Sequence, residues 1–189
     1  VNREELKEKY AKKRVPHEWR GTDFLSTLVT TFFGSGMSPK APGTMGSLAA
    51  TIVAYPMAFF AIKFDSVFYW LNPLFIVAAI IVFFAAIPFV NKAMKDTGTE
   101  DPGWIVIDEV CGIFMTFALV NPYIIVDNPI TLLVGFALFR FFDILKPLGI
   151  HRFEKFPGAW GVMADDLLGG IYAGILMFPI SIAIDLISL

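Results

Sequence analysis

Five uncharged runs separated by short polar stretches set the pattern of this chain: residues 41–62, 66–91, 110–126, 130–139 and 167–184. About twenty apolar residues cross the hydrocarbon of a bilayer as a helix. The pattern therefore predicts an all-α fold, an integral membrane helical bundle of about five membrane helices, some of them short. Lys63 and Asp65 mark the turn between the first two runs, and Asp127, Asn128 and Pro129 mark another. The 130–139 run leads into Arg140 and Asp143, so its far end must lie in protein or water rather than in lipid. Residues 22–33 are mildly apolar but too short to span.

The first twenty residues differ in kind. Glu4, Glu5 and Glu8 precede Lys7, Lys9, Lys12 and Lys13 at roughly helical spacings, which predicts a solvated surface helix ending before Pro16. Seven of the fifteen Lys and Arg residues lie here, so the segment also suits anionic lipid headgroups. The expected division is a basic N-terminal surface helix over 1–22 and a membrane-embedded domain over 23–189.

Composition supports the membrane reading: 56% hydrophobic residues, 17% charged and a mean hydropathy of +0.66 lie on the apolar side of ordinary soluble chains. A net charge of -2 argues against nucleic acid as a partner. The lone Cys111 excludes an internal disulfide and reads as a small buried thiol. The N-terminus shows no apolar core or cleavage site of a secretory signal. His17 and His151 are isolated and read as surface or interfacial residues.

Basic residues set the expected orientation. With a cytoplasmic N-terminus, five crossings place all of them except Lys63 on the cytoplasmic side, as the positive-inside rule requires. The same threading brings three acidic islands to that face: Asp108 with Glu109, Asp143, and Asp165 with Asp166. Ionised carboxylates next to hydrocarbon need partners or a bound cation.

Hard oxygen ligands suit Mg²⁺, which takes one or two carboxylates and keeps water and substrate phosphate in its other positions. The islands supply more acids than one ion needs, so two ions, or one ion and a general base, fit the surplus. Asp108, Glu109, Asp143, Asp165 and Asp166 are thus candidate catalytic and metal-binding residues, with Asp108 favoured over Glu109 and Asp166 over Asp165 as ligands. Arg140, Asp143 and Lys146 follow at i, i+3 and i+6, where the cations either pair with Asp143 structurally or hold an anionic substrate. Gly112, Gly169 and Gly170 fall four residues after acids and permit close backbone approach.

The glycine-rich stretch 33–48 cannot be a regular helix throughout. Its Gly34, Ser35, Gly36, Ser38, Lys40, Gly43 and Thr44, with Arg140, are candidate phosphate contacts, through backbone N–H groups and side-chain charge. A plain connector is at least as compatible with the stretch alone, and Thr44 or Ser47 is the expected cap of the next helix. No nucleotide P-loop, cysteine-phosphatase loop or Gly-x-Ser-x-Gly elbow is present.

FGSGMSPKAPGTMGSLAA, DPGWIVIDEVCG, FRFFDILKP and GVMADDLLGG, in that order, resemble the phosphatidylglycerophosphatase A family over roughly residues 33–174. The resemblance implies a phosphatase domain that hydrolyses phosphatidylglycerophosphate to phosphatidylglycerol and phosphate in phospholipid biosynthesis. It further implies Mg²⁺ dependence and a site facing the cytoplasm on the bacterial inner membrane. Asp108, Glu109, Asp143, Lys146, Asp165 and Asp166 fall on the family's motif positions, as do Gly34, Ser38, Pro39, Lys40, Gly43, Thr44 and Gly46 of the glycine-rich stretch. The stretches LKPLGI and PGAWGVMADD depart from the family pattern without touching the acids.

Two rival classes stay in view. A metal-dependent phosphatidyl-transfer enzyme also clusters aspartates at a membrane edge, but its Asp-Gly-x-x-Ala-Arg pattern is absent. A cation transporter would spread acids toward the midplane and both faces. Water or an aspartate as nucleophile, and the oligomeric state, are left open.

Overall fold

The computed structural model describes residues 18–64 and 72–188, and the expected surface helix lies mostly outside them, as do His17 and Asp65. Seven α-helices follow one another, with no strand among the described residues: α1 (Phe24–Thr30), α2 (Pro42–Lys63), α3 (Pro73–Thr97), α4 (Ile107–Phe117), α5 (Pro122–Asp127), α6 (Ile130–Leu145) and α7 (Ala159–Ser188). By length and composition α2, α3 and α7 can each cross a membrane. α4 and α6 are the two short members of the expected five.

The uncharged run 110–126 is not one helix. α4 stops at Phe117, and α5 restarts at Pro122 behind Asn121, whose side chain caps the Tyr123 N–H at 3.0 Å. Proline at the first helical position favours such a restart, and hydropathy alone cannot register it. The 11 residues of α4 span only about 16 Å. All of them except Met115 are buried, because α7, α3, α2 and α6 pack around α4. The acids at its start therefore face protein, not lipid.

Small residues line the inner sides of the long helices. Ala50, Ala54, Ala58 and Ala61 on α2, and Ala79, Ala86 and Ala93 on α3, are at most 1% exposed, whereas Ile52, Phe59, Ile81 and Phe84 point outward. Helices in lipid gain little from burying hydrocarbon, so close van der Waals approach through small side chains holds them together. Pro56, Pro88 and Pro179 sit inside α2, α3 and α7, as membrane helices tolerate.

α2 begins earlier than expected. Pro42 occupies its first turn behind a left-handed Ala41 (φ 49°), so Thr44 and Ser47 lie inside the helix and neither caps it. Ser47 instead donates to the Gly43 carbonyl at 2.8 Å. α1 is capped by Asp23, which accepts from the Ser26 N–H at 3.0 Å and the Ser26 hydroxyl at 2.7 Å. Those bonds, the backbone one foremost, hold the Asp23 carboxyl well below its usual range.

Candidate active site

α4 and α7 cross at two glycines. A Cβ on Gly170 would lie 2.3 Å from the Gly112 carbonyl oxygen, and one on Gly112 would lie 2.7 Å from the Asp166 carbonyl oxygen. Only hydrogen at both positions permits that approach. Asp108 and Asp166 each stand one helical turn before these glycines, so the crossing turns them toward each other. Asp108, Glu109 and Asp166 each offer a carboxylate oxygen, and these lie within 4.8 Å of one another. All three residues are buried, and Asp108 Oδ1 has no hydrogen-bond partner among the described residues.

The other two acids carry basic partners. Arg140 on α6 bridges Asp143, one turn ahead on the same helix, and Glu109 at 3.8 Å, and its guanidinium donates to the Ser47 hydroxyl at 3.3 Å. Lys146 pairs with Asp165 on α7. The i, i+3 spacing puts Lys146 beside Asp143 only if α6 continues, but α6 ends at Leu145, and Lys146 takes a left-handed conformation (φ 44°). Pro147 follows, which disfavours the right-handed helical region for Lys146. That turn redirects the ammonium to α7.

Asp108, Glu109, Asp143, Lys146, Asp165 and Asp166 all line one cavity of about 730 Å³. Its rim brings in residues that the sequence pattern did not single out: Glu100 and Asp101 before α4, Met94 at the end of α3, and the loop Phe156, Pro157 and Gly158 before α7. Glu100 and Asp101 lie in the polar stretch between the uncharged runs 66–91 and 110–126, where nothing in their spacing ties them to the other acids. Asn91 of α3 accepts a hydrogen bond from the Ala159 N–H at 2.9 Å and so fixes the rim loop. That link joins residues 68 apart and leaves no sequence signal.

The glycine-rich stretch takes a different place. Gly34, Ser35, Gly36, Ser38, Lys40 and Thr44 do not line the cavity. The Gly34 N–H donates to the Thr31 hydroxyl, Ser35 to the Thr31 carbonyl and Ser38 to the Lys40 carbonyl, while Lys40 is exposed. Gly36 packs on the Trp104 carbonyl, where a Cβ would come within 2.2 Å. Gly43 does reach the acids: its missing side chain leaves room for Glu109 Oε1, 2.2 Å from where a Cβ would stand, and for the Arg140 guanidinium. Arg140 lies behind the carboxylates and does not line the cavity. Cys111 is buried and donates to the Ala79 carbonyl at 3.4 Å, as a small structural thiol does. His151 is exposed outside the cavity.

An apolar helical bundle with acids and a lysine gathered in a cavity at one end places the chain among membrane-embedded enzymes with a polyacidic site. The family model described as Phosphatidylglycerophosphatase A matches residues 28–181, and the chain belongs to that family. Two relatives named "Phosphatidylglycerophosphatase A" come from Haemophilus influenzae, 38% identical over 81% of this chain and 86% of its own length, and from Escherichia coli, 35% identical over 80% and 81%. A relative from Bacteroides thetaiotaomicron, 41% identical over 82% of this chain and 92% of its own, is named "Putative phosphatidylinositol-3-phosphatase". No solved structure matches the chain. The chain is a lipid phosphatase of this family.

Proposed function

We propose that the chain hydrolyses the terminal phosphomonoester of phosphatidylglycerophosphate to phosphatidylglycerol and inorganic phosphate, with Mg²⁺, as a step of phospholipid biosynthesis. The observation that carries this reading is the meeting of Asp108, Glu109 and Asp166 within 4.8 Å in the cavity that Lys146 also lines. Three buried carboxylates at that spacing repel one another unless a cation or protons intervene. Their hard oxygen donors, and the unpartnered Asp108 oxygen, fit a divalent ion.

When bound, Mg²⁺ supplies charge neutralisation at the phosphate and lowers the pKa of water beside it. Lys146, steered by Asp165, offsets charge on the phosphate oxygens. Arg140 anchors Glu109 and Asp143 from behind and keeps both carboxylates aimed at the cavity. In the step itself, water oxygen bonds to phosphorus while the bond from phosphorus to the glycerol oxygen breaks. The proton lost by water offsets the one that the leaving alkoxide takes up. A trapped aspartyl-phosphate would make a carboxylate the nucleophile instead.

Lipid chains remain in the bilayer around the helices. The positive-inside count supports an inner-membrane location with the cavity facing the cytoplasm. Acids gathered at one end of the bundle speak against a transport path through it. The name of the Bacteroides relative favours a second reading, hydrolysis of a 3-phosphorylated inositol lipid. Both substrates are lipid phosphomonoesters, and the same carboxylates would serve either.

Phosphate release by the purified protein in mixed micelles, with each lipid in turn and with Mg²⁺ or EDTA, tests the proposal. A higher kcat/KM for phosphatidylglycerophosphate supports it. The opposite preference replaces the substrate, and no release from either lipid overturns the phosphatase reading.

A further inference from the structure

α1 is built inside out. Ser26, Thr27 and Thr30 face the protein and are buried, while Phe24 is 79% exposed and Leu25 is 53% exposed. A helix on a water-facing protein carries the opposite pattern. The inner hydroxyls need no water: Thr30 donates to the Ser26 carbonyl and Thr31 to the Thr27 carbonyl, each at 2.6 Å. Internal satisfaction of polar groups is what hydrocarbon demands.

The turn after α1 extends the pattern. Phe32, Phe33 and Gly34 are left-handed in succession, at φ 44°, 56° and 94°. Two bulky residues there are outliers, and the Phe33 side chain ends up 77% exposed. Both sides of the turn lie at the cavity end of the bundle: before it the Thr30 carbonyl accepts from the Val106 N–H at 2.8 Å, and after it Gly43 meets Glu109.

The neighbouring helix supplies a depth mark. The outward residues of α3 are apolar through Ile81, Phe84 and Pro88 and polar from Asn91 onward, with Lys92, Lys95 and Asp96. Such a change marks the edge of the hydrocarbon. α1 packs on α3 and is tied to that edge, because Asp23 pairs with Lys92 at 3.1 Å and Thr22 donates to Asp96 at 2.8 Å. The exposed apolar face of α1 thus continues the lipid-facing surface of α3, and the basic first twenty residues that precede it suit an anionic leaflet.

We propose that residues 24–34 form a re-entrant lipid anchor, with Phe24, Leu25 and Phe33 inserted into the leaflet on the cavity side, where they hold the cavity at the level of lipid headgroups. The occupant of this face is lipid rather than a second copy of the chain. The single buried cysteine makes the test direct. In a Cys111→Ala background, Phe24→Cys, Leu25→Cys and Phe33→Cys are spin-labelled separately in liposomes containing anionic lipid, with Ile81→Cys as the lipid control and Lys95→Cys as the water control.

Power saturation with oxygen and with a water-soluble nickel chelate then reads the surroundings of each label. The proposal expects oxygen accessibility like that at Ile81 and nickel accessibility several-fold below that at Lys95. Nickel accessibility equal to Lys95 overturns it, because the face is then in water. Shielding from both reagents also overturns it, because protein then covers the face. The three sites report independently, so a poorly folding variant leaves two to decide.

Discussion

Gly170 meets Gly112 so closely that a methyl group on Gly170 would fall 2.3 Å from the Gly112 carbonyl oxygen. Backbone cannot rotate away as a side chain can, so Gly170→Ala must push α4 and α7 apart. Asp108 and Asp166 move apart with them. A misplacement of about 1 Å costs on the order of 100-fold in rate, and that loss is expected in phosphate release, together with a lower Tm. Gly169→Ala is the control, since its nearest neighbour would stand 3.8 Å away; it is expected to leave both readouts near wild type.

Arg140 spans Glu109, Asp143 and Ser47 with one planar guanidinium. Arg140→Ala is expected to lower kcat by about 10- to 100-fold, the usual cost of removing a group that orients ligands. Arg140→Lys is expected to recover little of it, because a point charge cannot replace a fork of donors. Steady-state kinetics of the two variants check this, and a lysine variant at wild-type kcat would refute the orienting role.

A divalent ion among Asp108, Glu109 and Asp166 would relieve their mutual repulsion. Adding Mg²⁺ is therefore expected to raise the Tm in detergent solution, as a ligand of the folded state does, and Asp108→Asn is expected to lose most of that rise. A variant with the full wild-type increment would remove Asp108 from the ligand set.

The membrane helices and the acids were legible in the sequence because charge is costly in hydrocarbon and uncharged runs are long enough to count. Close backbone approach at Gly112 and Gly170 was legible too, since each glycine follows an acid by one helical turn, but their meeting was not, and a Cβ on Gly169, which has the same spacing, would come no nearer to other backbone than 3.9 Å. The break between α4 and α5 was not, because residues 110–126 carry no charge to mark it. The pairing of Lys146 with Asp165 was also hidden, since it depends on the left-handed turn before Pro147. The glycine-rich stretch suggested a phosphate loop; two of its glycines, Gly36 and Gly46, pack against Trp104 and Val106, and Gly43 makes room for Glu109. Glycine spacing alone does not distinguish a loop that approaches a ligand from one that approaches protein.

We propose that Asp108, Glu109 and Asp166 together hold the divalent ion on which phosphate release depends. A Mg²⁺ titration of phosphate release from phosphatidylglycerophosphate, comparing wild type with Asp166→Asn, tests it most directly. EDTA is expected to abolish wild-type turnover, and the variant is expected to lose at least about 100-fold at saturating Mg²⁺, in line with removal of a charge-stabilising group. Turnover by the variant at the wild-type rate, or wild-type turnover that EDTA leaves unchanged, would contradict it.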